Sequence, residues 1–236
     1  MRAVSRLRSA SIVALLLVGF SAATARADDR YFLLIFGSQS SPKVLRRTHT
    51  WATFVRAVGE GPDLSTYSLE VNTISWLPAT LKVRVWSLKP EQGVNFDLEQ
   101  SLNFVYSEGE SVTMWGPFVI APQVYERSLR VREVAESGTA QYRAISSGRD
   151  MLISDCIHAV AAVDPQLGRN HYPLIRIGKP ASRYIARQMM MRSQFDQYQY
   201  ENSWLIERLG LGRYPIKIVP PQLIPKSDCG LCRKPK

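Results

Sequence analysis

Thr48-His49-Thr50-Trp51-Ala52-Thr53-Phe54-Val55-Arg56-Ala57-Val58, followed by Gly59-Glu60-Gly61-Pro62-Asp63-Leu64, is the stretch that decides how this chain folds. β-Branched and aromatic residues fill the first eleven positions, which reads as a long strand. The glycines, proline and acids behind it are strong turn chemistry. Residues 67–76 and 81–87 have strand composition as well, and residues 31–36 (YFLLIF) form a strand ahead of them. Residues 31–87 are therefore expected to be an antiparallel meander. Side chains alternate along a strand, so His49, Trp51, Thr53 and Val55 share one face. A hairpin centred on Pro62 or Asp63 sets His49 opposite Ser75 or Trp76, with the register open by one residue. Ser75 then orients the imidazole and Trp76 shields it. Asn72 and Glu70 are alternatives further along that strand, and the plain reading of Ser75 is a surface hydroxyl.

Outward from the meander the pattern turns helical. Residues 95–106 place Phe96, Leu98, Leu102 and Val105 at helical spacing, and residues 123–135 do the same with Val124, Leu129 and Val131. Residues 181–192 and 203–209 read as helices, and residues 141–146, 174–177 and 216–219 as short strands. Met189-Met190-Met191 reads as core packing. The fold class is α+β: an antiparallel sheet, a meander, packed against helices. With 236 residues, 45% hydrophobic and 21% charged, the composition excludes a disordered chain, a collagen and a coiled coil. One α+β domain over residues 28–225 accounts for the length, with a leader at 1–27 and a basic tail at 226–236.

Arg2, Arg6 and Arg8, a short apolar run at residues 12–20, and Ala25 and Ala27 in A-x-A spacing read as a secretory signal peptide cut after Ala27. The apolar run is far short of the ~20 residues that span a bilayer, and no later stretch is transmembrane. The alternative is an uncleaved membrane anchor. Cleavage lowers the formal charge from +10 to +6, because the leader holds four arginines and no acid. A modest basic surplus suits anionic envelope surfaces. The basic residues are scattered and form no nucleic-acid-binding motif, so no nucleic-acid partner is expected. The mature chain is expected to be secreted or periplasmic.

Three cysteines are too few for a disulfide scaffold. Cys229 and Cys232 form a C-x-x-C pair in the tail, read as a local disulfide or a frayed end, with a redox pair or half a zinc site as alternatives. A zinc site lacks ligands, since the chain has three histidines, and no metal or cofactor is expected. If the tail cysteines pair, Cys156 is the odd thiol. Ser154 or Asp155 caps the apolar helix that Cys156 opens, and Asp164-Pro165 ends it. The first turn of a helix favours a thiolate; the alternative is a buried, inert cysteine. A cysteine nucleophile needs a histidine base oriented by a third polar group. His158 lies only two positions on and faces another side of the helix. His171 lies in a loop. His49, on a rigid strand, is the better platform.

A histidine on a core strand, a polar residue on the next strand and a later cysteine opening a helix resemble the circularly permuted papain-like superfamily, which includes NlpC-type peptidases and lecithin:retinol acyltransferase-like enzymes. The resemblance covers roughly residues 45–165. It implies a permuted papain-like arrangement with thiol chemistry on amide or ester bonds, Cys156 as nucleophile, His49 as base and Ser75 as orienter. Asn202-Ser203-Trp204 and Cys229-Gly230-Leu231-Cys232 copy papain fragments in an order that fits neither arrangement, and chance explains them. The expected function is an exported thiol hydrolase or acyltransferase of the cell envelope, acting on a peptide or lipid substrate. The alternative is a non-catalytic secreted binding or structural module with a buried Cys156. In that module Tyr184, Arg187, Arg192, Phe195, Tyr198, Tyr200 and Trp204 form a partner surface.

Overall fold

The computed structural model describes residues 29–144, 154–164, 177–191, 195–196 and 202–224. The expected leader, His171, Arg192, Tyr198, Tyr200 and the tail cysteines lie outside the described residues, as does nearly all of the strand expected at 174–177.

Two long strands, β1 (Arg30–Gln39) and β2 (Thr48–Val58), pair antiparallel over their full lengths. β3 (Ser68–Ile74) pairs with the far edge of β2, Val58 meeting Ser68 and Ala52 meeting Ile74. The turn between them is pinned by Asp63, whose side chain accepts the Ser65 N–H at 2.9 Å. After Ile74 the chain leaves this sheet. β4 (Trp76–Pro78) pairs instead with β5 (Glu91–Asn95), and β5 with β7 (Gln141–Tyr142), making a second, three-stranded sheet.

Helix α1 (Leu98–Ser107) opens with a reciprocal cap: Asp97 accepts the Gln100 N–H while the Gln100 side chain accepts the Asp97 N–H. It leads into β6 (Ser111–Ile120), which runs antiparallel to β1, and into α2 (Pro122–Glu136), with Pro122 in the first turn. Then come α3 (Cys156–Ala161), α4 (Lys179–Met191), β8 (Phe195–Asp196), α5 (Ser203–Arg208) and β9 (Lys217–Val219). The main sheet runs β3-β2-β1-β6-β8, with β9 joining β6 in parallel.

Strand alternation divides the interior into two cores. Leu33, Ile35, Ala52, Phe54 and Ile74 face α2, α3 and α4. Phe32, Leu34, Phe36, Trp51 and Val55 face α1 and α5. The molecule is thus a helix–sheet–helix sandwich of mixed α+β class.

Several expectations need correcting. The sheet is mixed and not purely antiparallel, because β9 is parallel to β6. Residues 81–87 form no strand; they belong to a loop whose alternating apolar side chains meet no partner strand. β5 and β6 were not foreseen. Gly116 and Pro117 break the pattern of β6, and Gly93 dilutes that of β5. Gly93 is required where it stands, since a Cβ there would lie 2.0 Å from the Trp76 ring. Met189 is buried in the first core as expected.

Candidate functional site

β3 parts from β2 at Ser75, and two side-chain bonds explain the turn. Asn95 Oδ1 accepts the Ser75 N–H at 2.8 Å, and Asn95 Nδ2 donates to the Thr73 carbonyl at 2.9 Å. The Phe96 N–H closes on the Ser75 carbonyl at 3.0 Å. With its backbone handed over to the second sheet, Ser75 swings its hydroxyl to His49 Nε2, at 2.8 Å. The pairing of Ala52 with Ile74 would set His49 across from Leu77, so Ser75 reaches the ring diagonally, not from directly opposite. The structure therefore brings His49 and Ser75 together. Both are fully enclosed, His49 keeping 2% exposure.

His49 stacks on Trp51 (centroids 5.3 Å apart, 17° between planes), and Trp51 stacks on Phe36 (5.0 Å, 3°). Burial without a counter-charge drives the imidazole pKa down to about 3, so the ring is neutral near pH 7. Its Nδ1 is buried and has no hydrogen-bond partner among the described residues. An unpaired buried ring nitrogen is costly, and such an atom calls for a physical explanation.

Cys156, the first residue of α3, lies against Thr50, the residue after His49 in β2. Asp155 caps α3, its carboxylate accepting the Ile157 N–H at 2.8 Å and the His158 N–H at 3.0 Å. The backbone N–H groups of Thr50, Cys156 and Ile157 face the sulfur and favour its thiolate. Cys156 as a residue is half-buried, but desolvation governs its sulfur. Burial, helped by the Asp155 charge, pushes the thiol up to about 12 against the pull of those N–H groups. The resting thiol is thus protonated. It is not a hydrogen-bond partner of His49, whose Nε2 is taken by Ser75 and whose Nδ1 bonds nothing among the described residues. His49 stacks into the core beneath α1, while Cys156 packs with the core beneath α3 and α4. The two side chains flank the backbone of β2 at Thr50, where β3 has left the edge.

Asn72, one of the alternatives for the orienter, bonds Ser128 Oγ at 2.8 Å in α2, and Glu70 pairs with Arg56 at 3.2 Å. Neither is bonded to His49. His158 bonds Asp155 at 2.7 Å; burial alone would lower it, but that bond and the carboxylate charge outweigh it and raise its pKa.

Four residues around the site were not foreseen. Asn95 sets Ser75, as described. Thr50 Oγ1 accepts from Ser182 Oγ of α4 at 3.0 Å, fixing the strand beside the sulfur. Ser38, the cross-strand neighbour of His49 on the same face, donates to Glu110 Oε2 at 2.5 Å. Glu110 is 6% exposed, and burial raises its carboxyl to about 7. None of the four stood out in the sequence, since Asn95 and Glu110 sit among other polar residues and Ser38 and Thr50 are ordinary strand residues.

The signs of these shifts oppose one another. Between its ordinary value of 4.5 and about 7, Glu110 holds a proton in the folded chain that the unfolded chain has released. Its stabilising protonation is therefore present at the acid end and lost as pH rises. His49 does the reverse, and stability is lost as pH falls below 6.5 towards 3. Glu110→Gln keeps an acceptor for Ser38 and removes only the first effect. It is expected to stabilise the protein by roughly 2–3 kcal/mol above pH 7, the gain vanishing near pH 4. Urea unfolding at a series of pH values measures this. A gain that does not vary with pH would mean that it does not come from the titration of Glu110.

Of the expected partner surface, Tyr184 and Trp204 are half-buried, Trp204 packing edge-on against Phe32 at 5.6 Å. They serve the two cores and are not a free face. No group of three His, Cys, Asp or Glu side chains stands together as a metal site among the described residues, and no described helix is long and apolar enough to cross a membrane. Comparison with protein-family models, curated proteins and solved structures finds no match to this chain.

Proposed function

We propose that the chain is an exported thiol hydrolase or acyltransferase acting on amide or ester bonds of the cell envelope, with Cys156 as nucleophile, His49 as base and Ser75 as orienter. One observation carries this reading. One imidazole nitrogen of His49 is bonded by Ser75, and the other is buried and without a partner among the described residues, in the residue next to Thr50, whose N–H faces the Cys156 sulfur. A nitrogen kept for a proton in transit explains that arrangement. The permuted papain-like resemblance of the sequence agrees with it.

The sulfur turns from the Thr50 N–H towards the edge that β3 leaves open. The imidazole rests on the opposite side of β2 from the sulfur, so it turns around the same edge, and Nδ1 takes the thiol proton as Sγ bonds to the substrate carbonyl carbon. The Cys156 N–H, and the Thr50 N–H that the sulfur vacates, donate to the oxyanion. His49 returns the proton to the leaving nitrogen or oxygen, and a thioester remains. Water or an acceptor hydroxyl then attacks, its proton passing through His49 to the departing sulfur, which restores the thiol.

A second reading, a non-catalytic secreted module with an inert Cys156, is favoured by the thiol's displacement to about 12 and by its packing in the other core. Acylation by p-nitrophenyl acetate separates the two. The catalytic reading expects a thioester on Cys156, found by mass spectrometry, forming faster than on the urea-unfolded chain and absent in Cys156→Ser. A folded chain that acylates no faster than the unfolded one removes the catalytic reading.

A further inference from the structure

The loop between β4 and β5, residues 79–90, has the sequence Ala-Thr-Leu-Lys-Val-Arg-Val-Trp-Ser-Leu-Lys-Pro. Trp86 is 81% exposed and Leu88 66%, and Leu81 is exposed beside them. Lys82, Arg84 and Lys89 are exposed between these side chains, and the loop contains no acid.

The apolar groups are held outward by a built structure. The Ala79 N–H bonds the Gln92 carbonyl at 2.8 Å, the Leu81 N–H the Pro78 carbonyl at 2.8 Å, and the Ser87 N–H the Arg84 carbonyl at 3.0 Å. Thr80 Oγ1 donates to Glu91 at 2.7 Å, and Arg143 Nη1 to the Leu88 carbonyl at 3.4 Å. Leu81 adopts φ +55°, a left-handed conformation that a leucine tolerates only at a cost. An isolated exposed leucine needs no explanation, but a large aromatic and two leucines interleaved with three cations do.

We infer that residues 79–90 are a docking loop for an anionic lipid bilayer surface. Lysine is depleted at protein–protein interfaces, whereas tryptophan at headgroup depth, leucine below it and lysine or arginine on the lipid phosphates are the chemistry of interfacial binding. Three cations without an acid match a negative headgroup layer. The inference does not depend on the catalytic reading. It does set the geometry of the Cys156 end, because Arg143 joins this loop to the segment before α3, its N–H bonding the Ser154 carbonyl at 2.7 Å.

Co-sedimentation of the purified chain with vesicles tests it, with neutral phosphatidylcholine compared to phosphatidylcholine mixed with phosphatidylglycerol. Binding is expected to the anionic vesicles, with a blue shift of tryptophan emission that Trp86→Phe removes, and release by high salt. The exposed triple substitution Lys82→Gln, Arg84→Gln, Lys89→Gln is expected to weaken partitioning by about 10²-fold, roughly fivefold per cation. Trp86→Ala with Leu88→Ala is expected to weaken it by about tenfold or more. Circular dichroism confirms that each variant is folded. Failure of the unaltered chain to bind, equal binding to both vesicle types, or binding that survives both sets of substitutions would overturn the inference. Loop-dependent capture of an envelope protein without vesicle binding would also overturn it and make the patch a protein interface.

Discussion

His49→Ala is expected to slow acyl transfer to Cys156 by about 10²-fold or more near neutral pH, and to change the shape of its pH dependence. The second effect is the more telling. Burial lowers His49 to about 3 and raises the thiol to about 12, so between those values both the imidazole and the thiol are neutral at rest, one on each side of β2. A neutral base that takes the proton during attack gives a rate nearly independent of pH, here from about pH 5 to 9. Without the base only the thiolate reacts, and its population rises tenfold per pH unit below the thiol pKa. The parent protein should therefore show a plateau and His49→Ala a line of unit slope. The readout is the rate of p-nitrophenol release from p-nitrophenyl acetate, with Cys156→Ser as the background. A parent profile that already has unit slope would show that the thiol acts without the imidazole, whatever the size of the rate loss.

Trp51→Ala carries the largest expected stability effect, about 3–5 kcal/mol. Trp51 is fully buried and makes two ring stacks, on Phe36 and on His49. Its removal opens a cavity in the centre of the sheet face that neighbouring strands, fixed by their ladders, cannot close. In a chain of this size each kcal/mol moves the midpoint by about 2–4 °C, so thermal unfolding should fall by roughly 6–20 °C. Trp51→Phe keeps an aromatic face for both neighbours and should lose much less. The His49 ring loses its platform in Trp51→Ala, so the acyl-transfer rate should fall even at temperatures where the variant is folded. A midpoint within about 2 °C of the parent would mean that the stack contributes little.

Much of this architecture is local and therefore visible in the chain. β2 could be read from its run of branched and aromatic residues, its turn from glycine, proline and Asp63, and α1 from the spacing of its apolar residues. Alternation put His49 on the face of Trp51. Hairpin geometry put Ser75 in the neighbourhood of His49, but not in register, since the ladder, continued, would set Leu77 across from His49. Strand composition misread residues 81–87, where Leu81 and Trp86 face solvent and Val83 and Val85 are half-buried. A pattern records which side chains lie together, not whether a partner strand is present to cover them.

Three features were decided only when distant segments met. Asn95 turns β3 into a second sheet and so aims Ser75 diagonally at the ring, through bonds across twenty residues of sequence. Ser38 and Glu110 form a buried pair beside His49 across seventy-two positions. The sulfur of Cys156 lies against the backbone of Thr50, on the opposite side of β2 from the imidazole. Composition and periodicity report each segment's own conformational preference and which face it buries. Desolvation, and hence the charge of His49, Glu110 and Cys156, is a property of everything packed around a group, and that exists only once the layers have closed.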